Sequence, residues 1–309
     1  MRILFMGTPD FALASLKALC EAGHDIAAVV TQPDKPRGRG HHLTPPPVKV
    51  YAQEKNIPVL QPLTLRGEEF AKTLEDIDPE LIVVVAYGRI LPKNVLEYPK
   101  YKCVNVHGSL LPEYRGAAPM QRAIIDGKRV TGITTMLMAE GLDTGDMLLK
   151  AEAKIEENDN FEAIHDRLAA LGASLLLDTV KGLEDGSITP IPQGEGATYA
   201  AKIEKTDCLI DFSKPVDEVH NLIRGLSPIP LSFTHTPDGK LLKITESRIF
   251  SRKATGEACG KVISTDGEIR VACADGVISL LGVVPEGKGR MSAADFINGR
   301  KIAVGDILF

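Results

Sequence analysis

Leu81-Ile82-Val83-Val84-Val85-Ala86 is an unbroken apolar run, β-branched at four of its positions. A strand with one wet face alternates polar and apolar residues. A strand apolar at every position belongs inside a sheet covered on both sides, the usual state of parallel strands. Its neighbours agree. Arg2-Ile3-Leu4-Phe5-Met6-Gly7 is followed by Thr8-Pro9-Asp10, then by Phe11, Ala14, Leu16 and Leu19 at helical spacing, which reads as strand, turn and helix. Ile26, Val29 and Val30 mark a strand over Asp25–Thr31; Cys103–Val106 and Thr131–Met138 add two more, with a helix around Met120–Ile125 between them. Phe161–Leu183 is a long amphipathic helix that stops at Gly182 and Gly186. Alternating strands and helices predict a doubly wound, Rossmann-like α/β domain with a mainly parallel sheet over residues 1–188.

After that the pattern changes. Residues 189–208 are rich in Pro, Gly, Thr and Ala with little periodicity, as in a linker. Residues 209–309 begin with one helix, Val216–Arg224. Short alternating runs follow at Lys243–Ile249, Gly260–Ser264, Glu268–Ala272 and Val277–Val283, separated by Gly and Asp turns. This spacing predicts a smaller antiparallel β-barrel of the oligonucleotide-binding (OB-like) type.

A chain of 309 residues has room for two such cores. No apolar run approaches the roughly 20 residues needed to cross a bilayer, and Met1–Gly7 leads straight into a strand, so no membrane partner is expected. The five cysteines (Cys20, Cys103, Cys208, Cys259, Cys273) never form a Cys-x-x-Cys pair, which argues for a reducing, cytoplasmic setting and against structural zinc. Net charge is −5, with 13 Lys and Arg against 12 Asp and Glu in residues 209–309 and 23 against 29 before them. A polyanionic partner must therefore be held by local basic clusters. Gly7-Thr8-Pro9 lacks the spaced glycines of a dinucleotide fingerprint, and no Gly-Lys-Ser/Thr loop exists, so neither a nicotinamide nor an ATP site is indicated.

The chemistry concentrates in Asn105-Val106-His107-Gly108-Ser109-Leu110-Leu111-Pro112 and Gly141-Leu142-Asp143-Thr144-Gly145. Ligands of open α/β sheets bind at the carboxyl ends of the strands. Asn105 and His107, two apart on an extended strand, point to the same side. An amide can donate to a developing oxyanion, a neutral imidazole can accept a proton, and a carboxylate can orient that imidazole. Without a nucleophilic Ser or Cys or a metal cage, the trio suits direct group transfer between two bound substrates.

These residues, with the Ser-Leu-Leu-Pro run, resemble the formyltransferases that use 10-formyltetrahydrofolate. Thr31-Gln32-Pro33-Asp34-Lys35-Pro36-Arg37-Gly38-Arg39-Gly40, Pro45-Pro46-Pro47-Val48-Lys49, Leu110–Arg122 and Thr198-Tyr199-Ala200-Ala201-Lys202-Ile203 narrow the resemblance to the methionyl-tRNA formyltransferases, over essentially the full length. Two places depart from that pattern. Ser227-Pro228-Ile229-Pro230-Leu231-Ser232 stands where the family commonly has Asn-Pro-Trp-Pro-Gly-Ala, and His41 and His42 stand where it often has lysines.

The resemblance implies 10-formyltetrahydrofolate as formyl donor and initiator methionyl-tRNA as acceptor; no metal is expected, and because nothing in the sequence requires a dimer a monomer is expected. It makes Asn105 and protonated His107 oxyanion stabilisers, with Asp143 orienting His107 and helping move a proton to N10. Arg89, Ile90, Leu91, Ser109, Leu110, Leu111 and Pro112 become folate walls. Lys35, Arg37, Arg39 and Lys49, in a Pro- and Gly-rich loop expected to form neither helix nor strand, become RNA contacts, with Lys240, Lys243, Arg248, Arg252 and Lys253 as a second basic patch. The competing expectations are a formyltransferase for an amino-sugar nucleotide or a purine precursor, a formyltetrahydrofolate hydrolase, and a non-catalytic RNA-binding protein.

Overall fold

The structure is a computed structural model that describes residues 1–37 and 42–309. The chain folds into two compact units. The first contains Met1–Gly116, Thr131–Ala153 and His165–Tyr199, and the second Ala117–Val130, Lys154–Ile164 and Ala200–Phe309. In chain order the elements begin β1 (Arg2–Gly7), α1 (Asp10–Glu21), β2 (Asp25–Val30), β3 (Lys35–Arg37), β4 (His42–Thr44), α2 (Pro47–Glu54), β5 (Val59–Leu60), α3 (Glu68–Ile77), β6 (Leu81–Val85), α4 (Lys93–Glu97) and β7 (Cys103–His107). They continue with β8 (Arg115–Gly116), α5 (Pro119–Ile125), β9 (Val130–Leu137), β10 (Met147–Lys154), α6 (Phe161–Asp185) and β11 (Tyr199–Ala200). The last group is α7 (Val216–Gly225), β12 (Ser232–His235), β13 (Leu241–Ser251), β14 (Val262–Ser264), β15 (Ile269–Ala272), β16 (Val277–Pro285), β17 (Met291–Ser292) and α8 (Ala293–Asn298).

The first unit is built on one sheet in the order β10-β9-β7-β6-β1-β2-β5. β1 pairs in parallel with both β2 and β6, β2 with β5, and β6 with β7, while β9 runs antiparallel to β7. The sheet is therefore mainly parallel. All five β6 residues are buried, as the apolar run requires. Each such side chain contributes roughly 1.5–3 kcal/mol relative to exposure. Strand order reverses at β1/β6, so the carboxyl ends of β1, β6 and β7 lie along one rim of the sheet, beside the buried Tyr87 and His107.

Asp34–Lys49 is more regular than its composition suggests. Lys35–Arg37 and His42–Thr44 pair as an antiparallel ribbon, and Pro47 opens α2. A two-stranded ribbon has two free edges that tolerate Pro36, and a proline at the first helical turn lacks only an N–H that would be unsatisfied anyway. Part of the expected linker is likewise fixed: residues 189–199 belong to the first unit, with Ile191 and Met147 exchanging two backbone hydrogen bonds of 2.8 Å.

In the second unit a curled antiparallel sheet runs β12-β13-β16-β15-β14, with β17 added to β16. Register shifts along β13/β16 at Ile244/Glu246, Glu246/Ser247 and Ile249/Ser251 bend the two long strands. Ile244, Val271, Ile278 and Leu280 of the sheet pack with Val219 and Ile223 of α7 to form its core. Leu231, at the position of the family's glycine, has φ 74°, a conformation that glycine adopts at lower cost than leucine. Ile229, in place of the tryptophan, is 67% exposed.

His220 of α7 is buried between Ser247, whose hydroxyl lies 3.0 Å from Nδ1, and the Glu157 carbonyl, 3.0 Å from Nε2. Because a carbonyl only accepts, Nε2 carries the proton and Nδ1 accepts from Ser247, so the neutral ring is fully satisfied. Burial pushes its pKa below the ordinary 6.5, outweighing the opposing pull of the Glu157 carbonyl and the Glu157 and Asp217 charges. As pH falls below about 6.5, the unfolded state then binds more protons than the folded one, and stability is lost. Thermal unfolding followed from pH 7 to pH 5 should show a fall in Tm that flattens in His220→Gln; equal slopes in the two proteins would contradict this account.

Candidate active site

β7 delivers two side chains to the rim. Asn105 lies opposite Val84 of β6 and Met136 of β9, and His107 lies opposite Thr134. Asn105 is half-buried, and no hydrogen bond among the described residues engages its amide. His107 is 5% exposed. Its Nε2 lies 2.9 Å from the Tyr114 carbonyl oxygen and its Nδ1 3.6 Å from Asp143 Oδ2. The carbonyl can only accept, so Nε2 holds a proton in every charge state, and the neutral ring turns its Nδ1 lone pair toward Asp143. A distance of 3.6 Å is within ion-pair range but longer than a hydrogen bond.

The segment after β7 is held by its own polar groups. Ser109 Oγ donates to the Glu113 carbonyl at 2.6 Å, and the Thr134 hydroxyl accepts from Leu111 N at 3.0 Å while donating to Ser109 O at 2.8 Å. The Lys150 ammonium caps the Leu111 carbonyl, and Tyr114 N donates to Thr198 Oγ1 at 2.8 Å. These bonds aim the Tyr114 carbonyl at His107. Asp143, at φ 50°, accepts from Gly116 N at 2.8 Å through the same Oδ2 that faces His107. Gly145 packs so closely on the Leu137 carbonyl that a Cβ has no room there.

Cys103, on the same strand, is fully buried, and burial pushes its thiol up to about 12, so it is no nucleophile. Among the described residues no group of three or more His, Cys, Asp or Glu is placed to hold a metal ion, and no helix is long and apolar enough to cross a membrane.

The other expected site residues divide. Ile90 is 81% exposed beside the rim, and Leu110 and Pro112 are half-buried. Leu91, Leu111 and the Ser109 hydroxyl are enclosed, so these three face a ligand only through their backbone. Arg89 is turned away, its Nη1 donating to the Pro62 and Leu63 carbonyls at 3.0 and 2.8 Å.

Lys35 is exposed on the β3/β4 ribbon; Arg37 contributes its backbone to that ribbon, and Arg39 lies outside the described residues. Lys49 departs from the expectation of an RNA contact. Its ammonium donates to both Asp34 oxygens, at 2.9 and 2.8 Å, and to Gln61 Oε1 at 2.9 Å, which uses all three donors. Gln61 Nε2 closes the network on Asp34 and the Gln32 carbonyl. The expected second basic patch is largely neutralised as well: Lys240 pairs with Asp238, Arg248 with Glu268 at 2.9 Å, and Arg252 with both Glu157 and Asp217.

Residues 1–180 match the family model described as formyl transferase, and residues 202–301 the one described as formyl transferase, C-terminal domain. The fold is shared with solved structures. An N-formyltransferase from Helicobacter canadensis, in complex with folinic acid and dTDP-3-aminofucose, superposes with a TM-score of 0.69 at 20% identity, covering 90% of this chain and 98% of that one. Glycinamide ribonucleotide transformylase 1 from Symbiobacterium toebii, at TM-score 0.52 and 19% identity, covers 62% of this chain and 94% of its own.

Full-length relatives are much nearer in sequence. The methionyl-tRNA formyltransferase of Caldanaerobacter subterraneus is 48% identical over 310 residues and that of Geotalea uraniireducens 47%; each alignment covers 100% of this chain, and 100% and 98% of the relative. The chain belongs to the formyl transferase family, among its methionyl-tRNA formyltransferases.

Proposed function

We propose that this chain transfers the formyl group of 10-formyltetrahydrofolate to the α-amine of methionine esterified to initiator tRNA, giving N-formylmethionyl-tRNA for translation initiation. The observation that carries this reading is an amide, an imidazole and a carboxylate converging on one sheet rim of a chain 48% identical, end to end, to a methionyl-tRNA formyltransferase. The rim fits a flat heterocycle. Ile90 stands out beside it as an apolar face, and the backbone of residues 88–91 and 109–112 offers the donors and acceptors that a pterin edge needs.

The donor supplies a formyl carbon on a nitrogen that leaves once protonated. Asn105, uncommitted in the free protein, donates to the oxygen that becomes negative as the amine attacks. His107 has its Nε2 occupied by Tyr114, so Nδ1 is the ring nitrogen that takes up the proton the amine sheds as its bond to the formyl carbon forms, and the imidazolium charge then stabilises the same oxyanion until the carbon–N10 bond breaks. Asp143 holds that proton's place and, through water, passes it toward the leaving N10. The amine attacks as free base; an ordinary α-amino group has a pKa of about 7.7–8.0, so free amine is available near neutrality. Positioning of the two substrates supplies much of the remaining acceleration.

The ribbon carrying Lys35 and Arg37 meets the tRNA, Arg39 outside the described residues joins them as an RNA contact, and Lys49 serves as an anchor, locking the base of the loop to Asp34 and Gln61. The second unit, as an OB-like barrel, also binds tRNA, and the reaction runs in the cytoplasm with a single chain as the working unit.

Single-turnover transfer of labelled formyl to methionyl initiator tRNA should give formyl-methionyl-tRNA, and Asn105→Ala should slow it by roughly 10²–10³. Transfer instead to an amino-sugar nucleotide, or to water, would overturn the acceptor assignment. The anchor role separates from direct contact by sign. Asp34→Ala, which removes a negative charge from the loop, should weaken tRNA use as Lys49→Ala does; improved tRNA use by Asp34→Ala would instead mark Lys49 as a phosphate contact.

A further inference from the structure

Asp143 sits in a loop that has little to hold it. Gly141 and Gly145 flank it, and its own φ of 50° lies in a region that non-glycine residues occupy at a cost. Its carboxylate is nonetheless placed to face both Gly116 N and His107. The restraint comes from far along the chain. Gln193 Nε2 donates to the Asp143 carbonyl and to the Gly145 carbonyl, both at 2.8 Å. Gln193 Oε1 accepts from Arg115 Nε at 3.0 Å and from a terminal nitrogen of the same guanidinium at 2.7 Å. A primary amide has two donors and two acceptor sites, and all four are used.

The orientation of this amide is forced. A guanidinium has no lone pair to offer, so the side-chain oxygen must face Arg115 and the NH₂ must face the two carbonyls. The contacts also close a ring. Arg115 precedes Gly116, whose N–H holds the Asp143 carboxylate, and Gln193 ties Arg115 back to the Asp143 main chain. One residue thus fixes both ends of Asp143, its backbone directly and its carboxylate through the 115–116 peptide.

We infer that Gln193 is a positioning residue for formyl transfer, holding Asp143 against His107 by bridging the Arg115 guanidinium to the Asp143 and Gly145 carbonyls. The inference rests on the proposed function for its kinetic consequence and on geometry alone for the placement of Asp143. Glutamate at 193 keeps the Arg115 contacts but turns an oxygen toward two carbonyl oxygens, so the loop is pushed away. Alanine removes the bridge, and asparagine is one methylene too short to span it.

Gln193→Glu and Gln193→Ala should lower the single-turnover rate about 10–100-fold, the scale of an ångström-level misplacement, with little change in KM for either substrate. The decisive comparison is a double-mutant cycle. In an Asp143→Asn background the Gln193 substitutions should cost less than about threefold, because their effect runs through the carboxylate already removed. Full multiplicative losses in both backgrounds would overturn the inference, as would a loss confined to KM. Should Gln193→Glu fail to fold, as judged by its thermal transition, Arg115→Lys breaks the same bridge from the other side and should reproduce the phenotype.

A second readout is independent of turnover. The imidazole nitrogen shifts of His107, read by ¹⁵N NMR, should change in the Gln193 variants in the direction they change in Asp143→Asn, because Nδ1 faces the Asp143 carboxylate at 3.6 Å, and unchanged shifts would contradict the positioning role. If the wild-type protein transfers no formyl group to methionyl-tRNA, the proposed function fails while these imidazole shifts still test the placement of Asp143.

Discussion

The hydrogen bond from His107 Nε2 to the Tyr114 carbonyl, 2.9 Å long and buried, sets what the site can do. Without it the imidazole could present either nitrogen to Asp143 and either tautomer to a substrate. With it, one nitrogen is spent, the other faces a carboxylate, and proton exchange has a single route. Most of the surrounding structure secures that carbonyl. Thr134 fixes residues 109 and 111, Lys150 holds the Leu111 carbonyl, and Thr198 holds Tyr114 from the far side of the sequence.

Beneath this lies the sheet. β7 is flanked by β6 and β9, so Asn105 and His107 are displayed from a strand with a partner on each side. Side chains on such a strand vary little in position, which suits groups that must meet a developing charge. Asp143 comes from a loop, the less rigid kind of support, and it carries the extra restraint of Gln193 and Gly116. The same division recurs at the basic ribbon, where Asp34, Lys49 and Gln61 hold the stem beside residues that are exposed.

The parts of this arrangement legible in the sequence are those with local signals. The β-branched run gives a buried strand at 81–85, ending one residue before the exposed Ala86, the spacing of Asn105 and His107 gives a shared face, and Val216–Arg224 matches α7 to within one residue. Long-range hydrogen bonds leave no such trace. Gln193 reaches Asp143 across 50 residues and Arg115 across 78, from a segment whose composition reads as linker. Lys49 looks like a free cation in sequence because Asp34 and Gln61 are 15 and 12 residues away, with no periodicity to link them. Composition also misreads Pro36 and Pro47, because free ribbon edges and helix starts both accept proline. Leu91 and Leu111 show the remaining limit: apolar residues beside a motif look alike whether they line a ligand or fill the core, and here they fill the core.

The most direct test of the account is ¹⁵N NMR of the neutral His107 imidazole in the free protein. A proton on Nε2 with an unprotonated Nδ1 is the predicted state of the neutral ring, and Asp143→Asn should leave that tautomer in place. A neutral ring protonated on Nδ1 would mean that Asp143, not Tyr114, sets the imidazole, and the proton route described here would be wrong.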